Sequence, residues 1–176
     1  MTLPEIVERP ASPYVALKME VTLPFDDEIP LILGRLYSYL HGRGLTPAGP
    51  VFFKHNVVDM PRLEMEFGVP LQQAVDADGD FTSGILPAGR YAQITYVGPY
   101  HDLVEVNGVL IGWARHAGLE FDSRRQADGE WFAHRSEIYH NGPEEEPDSS
   151  RLRTTVTIRL KDPQWTGQPF VDAQGP

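Results

Sequence analysis

The chain has 176 residues, 41% of them hydrophobic, and a formal charge of −10; that is enough chain for one domain, or two small fused halves, with a real core. It contains no cysteine, which excludes disulfides and thiolate chemistry, and its acidity argues against a phosphate backbone as a direct partner, so no nucleic acid is expected. The start, "MTLPEIVERPASPY" (1–14), has no apolar signal core and no run is long enough to span a bilayer, so a cytoplasmic protein without membrane contact is expected.

"YVALKMEV" (14–21) alternates and predicts a strand with one face toward the core. Residues 26–43 predict a helix, with Ile29, Leu33, Leu36 and Leu40 on one face, Asp26 or Asp27 as N-cap and Gly44 as its stop. "PVFFKHN" (50–56) and "RLEMEFGVPL" (62–71) predict two more strands, and "DADGD" (76–80) with "SGILPAG" (83–89) reads as a break. The pattern then recurs. "RYAQITYV" (90–97) alternates, and residues 101–117 predict a helix with Leu103, Val106, Leu110 and Trp113 as its stripe and Gly118 as its end. "RSEIYHN" (135–141) and "RLRTTVTIRL" (151–160) close the second round.

Four matches in the same order make an internal repeat. The expected fold is α+β: a tandem pseudo-twofold repeat of a strand–helix–strand–strand unit, with antiparallel sheets and a helix on one face of each half. Half one is expected at about residues 5–75 and half two at about 86–161, with 162–176 as a C-terminal extension that either docks through Trp165 and Phe170 or frays. Joined edge to edge, the free sheet faces would bend toward each other and form a groove, a favoured place for ligands.

The chemistry centres on "HRSEIYHN" (134–141), which places Glu137 in a strand that otherwise reads as core. Either this carboxylate sits at the groove floor, or it pairs with Arg135, Arg151 or Arg153 on the surface. Tyr139 shares its face by the two-residue period, while His134 and His140 take the opposite one. Counting back from His-Asn in each half makes Phe52 the repeat partner of Glu137. Glu66 offers a first-half carboxylate, although Glu64 and Glu66 also fit a solvated strand face. Tyr96 and Tyr100 flank Gly98, which suits a tight strand-to-helix turn. The six histidines show no ligand spacing, so neither a metal nor a cofactor is expected, and no nucleophile elbow, phosphate loop or dinucleotide fingerprint occurs.

"VGPYHDLVEVNGVLIGWARHAGL" (97–119), "SEIYHNGPEEEP" (136–147), "MEFGVPL" (65–71) and the last strand with Thr155 together resemble the GyrI-like small-molecule-binding domain. That domain also serves as the effector-binding part of bacterial multidrug-responsive transcription regulators. The resemblance spans about residues 6–161. It implies the duplicated fold and a groove for bulky, lipophilic, often cationic compounds. It also implies ligand contacts from Glu137, Trp113, Tyr139, Tyr96, Tyr100, Phe52 and Glu66. The leading expectation is a stand-alone binder of hydrophobic polycyclic compounds in drug or toxin protection, without a helix-turn-helix segment of its own. Some stand-alone members resemble hydrolases of strained cyclopropane alkylators. For these Glu137 would be the general base, with Trp113 beside it in the catalytic site. Others are implicated in protecting gyrase, which implies a protein partner. The last strand departs from the family pattern at Val156 and Arg159, where relatives often carry Glu and Pro.

Overall fold

The computed structural model describes residues 1–163; Trp165 and Phe170 lie outside the described residues. The elements run β1 (Glu5–Arg9), β2 (Ser12–Thr22), α1 (Ile29–Gly42), β3 (Val51–Asp59), β4 (Arg62–Pro70), β5 (Phe81–Leu86), β6 (Gly89–Val97), α2 (Leu103–His116), β7 (Ser123–Gln126), β8 (Gly129–Phe132), β9 (Arg135–Tyr139) and β10 (Arg153–Arg159). The fold is α+β, with one curled antiparallel sheet ordered β1-β6-β10-β9-β3-β4-β2-β5; β8 pairs with β3 and β7 beside this path. From the central β9–β3 pair outward, equivalent strands follow in mirrored order: β10 and β4, β6 and β2, β1 and β5. Joining two like units edge to edge produces this order.

Several local expectations are corrected. Residues 5–9, placed in the first half, pair with β6 of the second. Part of the expected break is β5, which pairs with β2 and so matches β1 at the other edge. The β7–β8 hairpin was not foreseen, because exposed Arg124 and Arg125 give it no apolar alternation. Asp26 and Asp27 lie in a 3-10 turn ahead of α1 and neither caps it; Glu28 takes the N-cap position without a side-chain bond, and Pro30 sits in the first turn. Ile32 is buried with Leu36 and Leu40, whereas Ile29 and Leu33 are half-buried. Gly44 and Gly118 end the helices as expected, at φ +63° and +67°, a conformation that costs glycine little.

The curl follows from two short connections. Only residues 10–11 join β1 to β2, and only 87–88 join β5 to β6, yet each pair stands six places apart in the sheet order. Six flat steps would span about 29 Å, whereas such a link reaches about 11 Å. The sheet therefore bends until its far edges approach. Phe52, Ser136 and Ile138 of the central strands line one cavity together with Pro10 and Pro87 of these links, so their face is the inner one. The helices cover the outer face. There Val106 and Leu110 pack on Ala92, Ile94, Val156 and Ile158. In the other half Ile32 packs on Leu17, Phe53, Met65 and Phe67, and Leu36 and Leu40 on Val15 and Val69.

Candidate functional site

Glu137 belongs to the outer, helix-covered face, at the seam between the halves. Alternation along β9 sends Arg135, Glu137 and Tyr139 outward and Ser136 and Ile138 inward, and register places Phe53 of β3 directly beside Glu137. Tyr139 packs against the hydrophobic cores of both halves. Its ring stands 4.6 Å from that of Phe53 and 5.2 Å, edge-on, from that of Tyr100, making a run of three aromatic rings centred on Tyr139.

Two neutral groups satisfy the carboxylate. Asn107 of α2 donates its Nδ2 to Glu137 Oε1 at 2.9 Å, and the Tyr139 hydroxyl donates to Oε2 at 2.7 Å. The Arg135 guanidinium donates to Asn107 Oδ1 at 3.0 Å and so reaches Glu137 through that amide. Among the described residues no salt bridge involves Glu137 with Arg135, Arg151 or Arg153, and Arg151 pairs instead with Glu146. Burial pushes the Glu137 carboxyl above its ordinary range, and the Tyr139 and Asn107 bonds and the Arg135 charge offset this only in part. Burial and the neighbouring Glu137 likewise raise the Tyr139 phenol well above its usual value. Beside them, burial and the charge of Arg135 hold His55 at about 3, so it is neutral at physiological pH.

The structure gathers Glu137, Tyr139 and Tyr100, and separates the other candidates from them. The Tyr100 hydroxyl donates to the Asn141 carbonyl at 3.2 Å, which ties the turn before α2 to the end of β9. Tyr96 packs on the second-half core and bonds through its hydroxyl to Asp102. A Cβ on Gly98, at φ +153°, would lie 2.0 Å from the Tyr96 hydroxyl oxygen, so the turn needs glycine for space as well as for backbone. Trp113 packs on the second-half core, and no hydrogen bond or ring–ring contact joins it to Glu137 or Tyr139 among the described residues. Asn107 faces Glu137, and a residue six positions further along a helix is turned about 120° away from it.

Phe52 and Glu66 lie on the inner face. Phe52 packs with Tyr14 and Ala16, its ring 5.7 Å from that of Tyr14. Pairing of β3 with β9 sets Phe53 across from Glu137 and Phe52 across from Ile138, so Phe53 shares the face of Glu137 and Phe52 does not. Glu66 accepts from Lys54 Nζ at 2.5 Å, Thr82 Oγ1 at 2.7 Å and the Tyr14 hydroxyl at 3.0 Å. Burial would raise its carboxyl, but Lys54 and these donors outweigh burial and hold it below the usual range. The expected asymmetric pocket of Glu137, Phe52 and Glu66 is therefore split between two faces, because one-residue steps in a strand change sides.

Sequence reasoning missed Asn107. Its signal was a polar residue one helical turn after Leu103 and one before Leu110, within an apolar stripe where Asn is otherwise disfavoured. The amide stays satisfied in the helix by donating to the Leu103 carbonyl at 2.8 Å. Cavities of about 300 and 330 Å³ lie elsewhere, one on the inner face and one by Lys18, Glu64 and Asp80.

Solved structures share this fold. EcmrR, in its complex with DNA, superposes with TM-score 0.74 at 18% identity, over 90% of this chain and 57% of that one; the chain thus spans little more than half of EcmrR. The isolated EcmrR C-terminal domain gives 0.72 at 18% identity, covering 90% and 97%. A hydrolase from Listeria innocua gives 0.59 at 15%, covering 90% and 92%, and SAV2435 bound to tetraphenylphosphonium gives 0.58 at 10%, covering 91% and 94%. No curated protein matches the chain. The family model described as GyrI-like small molecule binding domain matches residues 2–161. The chain belongs to the GyrI-like family of small-molecule-binding domains.

Proposed function

We propose that the seam between α1 and α2 binds lipophilic, ring-bearing compounds that carry or delocalise positive charge, in a protective or sensing role. The observation that carries this is Glu137, a half-buried carboxylate whose own partners are a neutral amide and a neutral phenol. Its charge is desolvated without an ion-pair partner, so a cation able to enter an apolar site gains more there than in water. Phe53, Tyr139 and Tyr100 supply ring faces and edges that attract the same kind of ligand. The fold similarity to a protein bound to tetraphenylphosphonium, a cation of this kind, supports the reading. Neither described cavity reaches Glu137, so a bulky ligand displaces Asn107 or the Tyr100 turn from above the carboxylate. Tetraphenylphosphonium titrated into the protein should bind saturably, and Glu137→Gln should weaken it about tenfold or more, the loss expected for a desolvated charge pair. Equal affinity in the two proteins would reject the reading.

A second reading makes the same seam hydrolytic. Its raised Glu137 carboxyl suits a general base, and a solved structure of the same fold is described as a hydrolase. Water activated by Glu137 would attack an electrophilic carbon of a strained ring held among the aromatics. Turnover of a cyclopropane alkylator that disappears in Glu137→Gln would support it; stoichiometric capture without product would leave only binding.

A further inference from the structure

The inner face carries a second set of unused chemistry, remote from Glu137. The cavity there measures about 300 Å³, at the small end of ligand pockets, which run from about 300 to 1,000 Å³. Its apolar wall includes Phe52, Leu86 and Ile138, and its polar end holds Arg9, His134 and Thr157. Three side-chain atoms at that end have no hydrogen-bond partner among the described residues: Arg9 Nε, His134 Nδ1 and Thr157 Oγ1. His134 is 4% exposed and Thr157 1% exposed. Buried polar atoms without partners are rare and costly, and here three belong to side chains that line one hollow.

The sign of the charge is also set. No carboxylate lines the cavity, and the Arg9 guanidinium, which donates to Gln93 Oε1 at 2.6 Å and lies 5.7 Å from the Tyr91 ring centre, has no ion-pair partner among the described residues. Lys54, Arg9 and Arg159 all act on His134, opposed by Glu66. His134 itself is neutral, since burial and these cations bring it to about 3; with Nε2 against the Ser136 hydroxyl at 2.8 Å, its Nδ1 has no partner among the described residues.

We infer that the inner cavity is a binding site for a small apolar molecule with a carboxylate head. The carboxylate meets Arg9, His134 and Thr157, and the hydrocarbon or aryl tail lies against Phe52, Leu86 and Ile138. The site takes the opposite charge from the seam and stands independently of the function proposed there.

Cinnamate and its cationic counterpart cinnamylammonium test the assignment by calorimetry, with the His134 imidazole ¹⁵N resonances reporting location. Cinnamate should bind saturably and shift those resonances, and cinnamylammonium should not. Arg9→Gln should weaken cinnamate about tenfold or more, as expected for a lost bond to a charged group. Leu86→Trp, which fills the hollow from its half-buried wall, should abolish binding and decides the question if Arg9→Gln does not fold. Glu137→Gln and added tetraphenylphosphonium should leave cinnamate affinity within about twofold, far below the tenfold that one charged contact is worth. Absence of saturable binding, unchanged affinity in Leu86→Trp, or competition by tetraphenylphosphonium would overturn the proposal. Absence of cinnamate binding, or unchanged affinity in Leu86→Trp, leaves the reading of the seam untouched.

Discussion

Glu66 and Glu137 are the same residue type on one sheet, each within a strand and each poorly exposed, yet they face different surroundings. Glu66, on the inner face, has its charge cancelled where it stands by Lys54. Glu137, on the outer face, has only dipoles for company, with a guanidinium one amide further off. Their carboxyls accordingly move in opposite directions, down for Glu66 and up for Glu137. A carboxylate whose charge is matched internally is a structural device; one whose charge is only partly compensated retains an interaction to give a ligand.

The largest effect should come from breaking the matched pair. Lys54 and Glu66 side chains are 11% and 6% exposed, so Glu66→Gln strands a buried ammonium and should cost about 3 kcal/mol. For a chain of this size that lowers the melting temperature by roughly 6–12 °C. A Lys54→Met/Glu66→Gln double variant should recover part of that loss, because it leaves no orphan charge; equal or greater loss in the double variant would show that the pair is not the unit. Next in size is Gly98→Ala, which drives a methyl into the Tyr96 ring and should cost about 1–3 kcal/mol in chemical denaturation.

Acid and base should separate the two carboxylates further. The folded pKa of Glu66 is lowered, so its contribution is present above the unfolded value near 4.5 and is lost as pH falls through the folded value. The folded pKa of Glu137 is raised, so its contribution is full below 4.5 and is lost as pH rises through the folded value. Glu137→Gln should therefore flatten stability on the alkaline side of that window, and Glu66→Gln on the acid side. Stability profiles that change in the same direction in both variants would dissolve the distinction. Asn107→Leu should raise the Glu137 pKa further, as read by carboxyl ¹³C chemical shifts, since the lost bond favoured the ionised form. The smallest contrast lies in the aromatics: Phe53→Leu should weaken tetraphenylphosphonium a few-fold, in line with about 1 kcal/mol for a cation–ring contact, while Phe52→Leu should leave it unchanged.

Glu137 lies on the helix-covered face and not on the free face expected to floor a groove; both helices and the sharing of one face by Glu137 and Tyr139 were legible because period and turn chemistry act locally. The register between halves was not. The pairing of β3 with β9 sets Phe53 beside Glu137 and leaves Phe52 on the other face, and no local pattern announces it. Glu66 fitted a solvated strand face as well as a site, because only the antiparallel register of β3 and β4 sets Lys54 beside it. Asn107 could have been flagged by its place in an apolar stripe, but its partner lies thirty residues away. The same non-locality hid β1 and β5, whose exposed alternation is weak and whose partners belong elsewhere in the chain.

The placement of β1 has a consequence for biosynthesis. β1 leaves the ribosome before its partner and is hydrogen-bonded along its length to β6, with Glu5 opposite Gln93 and Arg9 opposite Gly89. Synthesis at about 5–20 residues per second leaves the N-terminal segment without its mate for several seconds. Its sequence, EIVER, carries three charges in five residues, which discourages it from pairing with a neighbouring nascent chain during that wait.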